Sequence, residues 1–179
     1  MPVRGLATIA ALVLVASSQE TFLAAVLPSV LPGLGVGLDD VVEAGGLLIF
    51  VAGAAAAIGG LAAPVLAEQT SERRLLMGLL TASSAALVLL GSTRAFWAFA
   101  VLRGIQCLAI APFFPLVVAQ VARRADAQAI GIINAARVGS GFVGPLVATT
   151  VLATGSPGLL YLTLGGAGIA TALLLRRGG

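Results

Sequence analysis

The sequence predicts an all-α polytopic membrane protein in which six transmembrane helices form one bundle. Three observations carry that prediction. Of the 179 residues, 59% are hydrophobic, only 9% are charged, and the mean hydropathy is +1.11. A soluble domain carries about 25% charged residues, so an ordinary soluble globule is excluded, and so is a disordered chain. A spanning helix needs about 20 apolar residues, and six would use about 120 to 145. That leaves short loops, no room for a soluble domain, and one transmembrane domain over residues 1–179.

The first helix is expected over residues 5–27, ending before Pro28, with Pro28, Pro32, Gly33, Gly35 and Gly37 marking a loop that Asp39 and Asp40 extend. The second covers 41–66, and from Ala44 to Ala67 it holds no charge. Glu68 to Arg74 form a short polar hinge before the third helix at 75–92. Arg94 marks the next boundary. The fourth helix, 95–121, is interrupted chemically by Arg103 and mechanically by Pro112 and Pro115, since proline removes a donor and crowds the preceding turn. Arg123, Arg124 and Asp126 make the following loop, the fifth helix at 128–152 contains Pro145, and Thr154–Gly158 signals a turn before the sixth at 159–175.

Charge placement supports this division. One side of the membrane receives Arg4, Arg73, Arg74, Arg123, Arg124, Arg176 and Arg177; the other has Arg94 with Asp39, Asp40 and Glu43. This bias places both termini in the cytoplasm, an odd number of helices would spoil it, and a bacterial inner or plasma membrane is the expected location. Arg4, the apolar stretch and Ala16-Ser17-Ser18 imitate a secretory signal, but apolar character continues from Thr21 to Leu27, which suits a retained span.

The remaining composition narrows the chemistry. Ten arginines against seven acids give +3, yet the arginines are dispersed, which reads as topology and not as a nucleic-acid stripe. There is no His, and Cys107 is alone, so an internal disulfide, a multi-Cys metal site and a His-dependent mechanism are excluded. No paired carboxylates or phosphate loop stand out, Ser17, Ser18, Ser83 and Ser84 have no base nearby, and no enzyme is expected. Trp97 and Tyr161 read as interfacial anchors, and Cys107 as a packing residue.

Polar residues at membrane depth are therefore the functional candidates, because burying an unpartnered charge there is costly. Arg103 and Gln106, three residues apart, share a helix face. They read either as a substrate or coupling pathway or as a polar clamp between helices. Asn134 and Arg137 repeat the spacing in the fifth helix, facing the same cavity or anchoring the helix. Glu20 is the one carboxylate within a span; it either pairs with Arg103 or carries a coupling proton. Ala52, Ala56 and Gly60, and Ala136, Ser140 and Gly144, recur every four residues as faces for close helix packing.

The order of these signals resembles the amino-terminal half of the major facilitator superfamily, nearest its proton-driven multidrug efflux transporters. Thr21–Val30 is similar to the family's D-x-T-I-V-x-x-A-L-P-x-I run, with Gln19 in the acidic position and Glu20 beside it. Pro64–Arg73 occupies the G-x-L-A-D-R-x-G-R-R loop, where Leu66 and Ala67 match, Glu68 retains the acid and Arg73 one basic position. Arg103-Gly104-Ile105-Gln106 matches R-x-x-Q, and Gly144-Pro145 closes a run similar to the antiporter motif.

The resemblance spans nearly the whole chain and implies one major-facilitator-type bundle, half of a transporter that rocks two bundles about a central site. It implies a half-length or truncated transporter, with a second six-helix half or a homodimer as partner. It also implies proton-coupled efflux of small or amphipathic molecules, with no cofactor beyond the proton. Glu20, Arg103, Gln106, Asn134 and Arg137 would line the substrate or proton pathway, and Glu68, Arg73, Gly144 and Pro145 would serve gating. The alternative is a nontransporting membrane interaction or structural protein that docks through its small-residue faces.

Overall fold

The computed structural model describes residues 3–123 and 127–177; Arg124 and Asp126 of the expected loop lie outside them, as do the side chains of Arg4, Arg176 and Arg177. The described residues form helices α1 (Val3–Thr21), α2 (Leu23–Val30), α3 (Val41–Gln69), α4 (Glu72–Leu90), α5 (Phe96–Ile110), α6 (Phe113–Ala122), α7 (Ala127–Thr154) and α8 (Pro157–Arg177). They assemble as a six-helix bundle. α1 runs through α2 into one apolar span, Gly5–Leu34, and α5 runs through α6 into another, Phe96–Ala122. With α3, α4 and α7 these give five helices long and apolar enough to cross a membrane, and α8 adds a shorter apolar stretch, Pro157–Leu173. The chain is thus a helical polytopic membrane protein.

Helix α4 packs most heavily on α8 and α5, α5 on α3, and α1 on α7. Two apolar clusters result. One gathers Phe22, Leu87, Phe99, Leu160 and Tyr161; the other gathers Val13, Leu80, Phe113 and Ile133. On α1, α4 and α5 the buried polar residues fall between the residues of the two clusters: Gln19 between Ala16 and Phe22, Ser83 and Ser84 between Leu80 and Leu87, Arg103 and Gln106 between Ala100 and Ile110. A polar layer therefore divides the core. Helices α3 and α7 are the least enclosed of the five long spans, with only 17% of each buried inside the bundle.

Several boundaries differ from those expected. The first span does not stop before Pro28, which lies inside α2. Without water to compete for freed backbone groups, a membrane helix tolerates proline where neighbours re-satisfy them. The polar hinge is also shorter. Glu68 ends within α3 and Arg73 and Arg74 within α4, leaving Thr70 and Ser71 between the two helices, because Glu, Gln and Arg are good helix formers. Tyr161 is not an interfacial anchor. It is buried and meets the rings of Phe22 and Phe99 edge-on, with centroids 6.0 Å away in each case.

The break in the fourth span explains one helix contact. Pro112 has no N–H, so the carbonyl of Leu108, four residues earlier, lacks its helical donor. Helix α3 approaches that carbonyl at Gly59, where a Cβ would collide with the Leu108 oxygen and lie 3.2 Å from the Ala111 Cβ. Only glycine lets the two backbones come this close, and its Cα–H groups give the oxygen a weak donor. The expected stripe of Ala52, Ala56 and Gly60 is not this contact. Those residues line clefts, and a Cβ on Gly60 would meet nothing within 4 Å. The tight approach lies one residue away in the helical register.

These neighbouring glycines should respond oppositely. Gly59→Ala is expected to destabilise the bundle by about 1–3 kcal/mol through overpacking. Gly60→Ala should be neutral or stabilising by up to about 1 kcal/mol through helix propensity. Reversible unfolding in mixed detergent micelles measures both, and equal effects would contradict the assigned contact.

Candidate functional site

The polar layer is built around Arg103, which is 3% exposed, and Gln19 and Gln106, each 0% exposed. An α-helix presents residues three apart on one face, so α5 directs Arg103 and Gln106 together toward α1. The Arg103 guanidinium donates through one terminal nitrogen to the carbonyl of Gln19 at 3.1 Å and to Oε1 of Gln106; the other donates to the carbonyl of Glu20 at 2.6 Å. It also lies over the Phe22 ring, 5.5 Å from the centroid, where the π-face attracts a cation.

Gln106 and Gln19 extend the network across the bundle. Nε2 of Gln106 donates to the Ser83 hydroxyl at 2.9 Å and to the Gln19 carbonyl at 3.4 Å. The Ser83 hydroxyl donates to Oε1 of Gln19 at 3.1 Å. Nε2 of Gln19 donates to the Ser84 hydroxyl at 2.9 Å and to the Leu164 carbonyl at 3.0 Å. Four helices, α1, α4, α5 and α8, are thereby pinned at one level. The two carbonyls that accept from Arg103 sit beside the interruption between α1 and α2. A side chain inserted into the helical hydrogen-bond ladder is an established cause of such a break.

The carboxylate of Glu20 does not pair with Arg103, whose contact with that residue is to the backbone. Glu20 instead lines two clefts. The larger, of about 620 Å³, also takes in Ser17, Gly60, Phe113, Phe114 and Arg137. The smaller, of about 360 Å³, takes in Leu48, Ala52, Arg103 and Cys107. Ala56 borders both, so the two adjoin along α1 and α3. Arg137 reaches over the Phe114 ring, its Cζ 4.1 Å from the centroid.

The candidate residues thus divide. Arg103 and Gln106 meet in the polar layer, while Glu20 and Arg137 meet in the larger cleft. Asn134 is exposed on α7 and lines neither of these clefts. Gly144 is buried where α7 meets α1: a Cβ there would lie 2.8 Å from the Thr21 hydroxyl and 3.0 Å from the Ser18 carbonyl. Pro145 follows it within α7. Thr21 donates across this contact to the Ser140 carbonyl at 3.0 Å. Glu68 and Arg73 are exposed near the α3–α4 connection, and the ion pair described there joins Glu72 to Arg123 beyond α6.

Sequence reasoning missed Gln19 as the hub, with Ser83 and Ser84 as its partners. The available signal was polar residues near mid-span in three different helices, which must find one another in an apolar medium. No protein-family model matches the chain, and no curated protein matches it.

Gln19→Leu removes the side-chain partner of both serines and of the Leu164 carbonyl. It is expected to cost about 1–3 kcal/mol, the penalty of leaving buried polar groups unmet. Ser84→Ala breaks one neutral bond and should cost about 0.6 kcal/mol, the average for an interhelical bond in a membrane protein. Unfolding in mixed micelles ranks the two, and a cost for Ser84→Ala equal to that of Gln19→Leu would refute the hub.

Proposed function

We propose that the bundle is one half of an alternating-access transporter of the major facilitator type, and that the cleft between α1, α3, α6 and α7 is its side of a solute pathway. One observation carries this reading. Glu20 stands midway along the span Gly5–Leu34 and lines a cleft of about 620 Å³ together with Arg137. Charged side chains at membrane depth are expensive, face a bundle interior or a wet cavity, and mark solute or ion paths. A carboxylate and a guanidinium in an exposed cleft therefore argue against a surface that simply meets lipid.

The resemblance noted in the sequence agrees with the low burial of α3 and α7, the two helices that would flank a second bundle. A second six-helix half, from another chain or a second copy, would close the pathway from the opposite side. Glu20 would carry the coupling proton, and Gly144 and Pro145 would form the joint between α7 and α1. Arg103 and Gln106 would act behind the pathway by holding the backbone that presents Glu20.

Reconstitution into liposomes with an imposed proton gradient tests this reading, with flux of small amphipathic solutes as the readout. Proton-dependent flux is expected, and Glu20→Gln should lower it at least about tenfold, a loss of about 1.4 kcal/mol in barrier terms, with unchanged assembly. A stable, folded bundle that moves no solute either as a self-assembled dimer or together with a second six-helix half would overturn the transport reading in favour of a nontransporting membrane interaction protein.

A further inference from the structure

The two adjoining clefts hold unequal charge. Arg137 lines the larger, Arg103 the smaller, and Glu20 lines both. None of the three belongs to an ion pair among the described residues. Two guanidinium groups therefore stand against one carboxylate.

Neither cation is neutralised by its own contacts. Arg103 uses three of its five N–H groups, each on an uncharged acceptor: the carbonyls of Gln19 and Glu20 and the side-chain oxygen of Gln106. Its buried Nε has no partner among the described residues. Arg137 is held by the face of Phe114. Hydrogen-bonding dipoles solvate a charge without cancelling it, and Coulomb forces reach farther in an apolar medium than in water.

The walls supply the second half of the recognition. Phe113, Phe114, Pro115, Ile110 and Val118 make much of the larger cleft apolar. A planar guanidinium resting on an aromatic ring presents its edge for bidentate contact with a carboxylate.

We propose that this groove binds a monoanionic amphiphile: a carboxylate head on Arg137, with an aromatic or aliphatic body against Phe113 and Phe114. The inference rests on the reading of the groove as a solute pathway and adds the charge class of the solute. One bound anion balances the excess positive charge, and Glu20 works against binding.

A matched pair of probes tests it. 2-Naphthoate and 2-naphthylmethylammonium share a ring body and differ in charge at neutral pH. Titrated against the purified full chain in nanodiscs, the anion should bind at least about tenfold more tightly, the effect of one charge-assisted contact. Arg137→Gln should erase that preference, while Glu20→Gln should tighten naphthoate binding severalfold.

Equal or stronger binding of the ammonium probe overturns the proposal, as does the absence of naphthoate binding. Unchanged naphthoate affinity in a folded Arg137→Gln variant also overturns it. If that variant fails to assemble, Glu20→Gln decides: tighter anion binding upholds the proposal, and unchanged or weaker binding overturns it. The same probes in liposomes separate the two readings. Naphthoate that binds without crossing sinks transport alone, whereas flux of the ammonium probe in preference to naphthoate keeps transport and sinks the anion assignment.

Discussion

A guanidinium removed from water sets the terms for this bundle. Arg103 is almost completely buried in an otherwise uncharged helix, where an unsatisfied charge would cost more than most single contacts return. The acceptors it finds are two backbone carbonyls at the interruption of the first span and one glutamine on its own helix. Gln106 is then oriented by Ser83, which is oriented by Gln19, which reaches α8 through Leu164. Each side chain is oriented by the next, so the charge on α5 organises helices that are distant in sequence.

Backbone groups released by proline form a second thread. In a membrane a freed carbonyl has no water to turn to, and a neighbouring helix must come close or supply a donor. Pro112 frees Leu108, and Gly59 brings α3 against it. Pro145 likewise leaves the Gly141 carbonyl without its helical donor, and next to it Thr21 donates to the Ser140 carbonyl while Gly144 lets α1 and α7 approach. The helices that border the larger cleft are joined at these backbone contacts, which leaves their side chains available to line it.

Fold class was legible because it follows from composition: twenty apolar residues in a row have few alternatives to a spanning helix. The pairing of Arg103 with Gln106 was also legible, since three-residue spacing on a helix fixes a shared face. The hub at Gln19 was not, because its partners lie 64, 65 and 145 residues away. Nor was the destination of the Arg103 charge. Proximity of Glu20 in the sequence suggested a carboxylate, whereas the guanidinium meets that residue's carbonyl. Gly59 and Gly60 look equivalent in sequence, and only the rotation of α3 decides which one faces α5. Tyr161 misled for a similar reason: nearness to a helix end implies an interface, but packing against Phe22 and Phe99 holds it inside.

Because Arg103 grips main-chain oxygens, its hold does not depend on which side chains stand at positions 19 and 20; it depends on the path of the helix itself. A sliding or twisting of α1 against α5 would strip two acceptors from a buried cation at once. The four helices tied through that level therefore travel as a single stiff body. Any large motion of this protein must be sought where the body meets something else: along α3 and α7, in the short connections, or against whatever faces the groove. In mechanical terms the polar layer is a weld, and the hinge lies outside it.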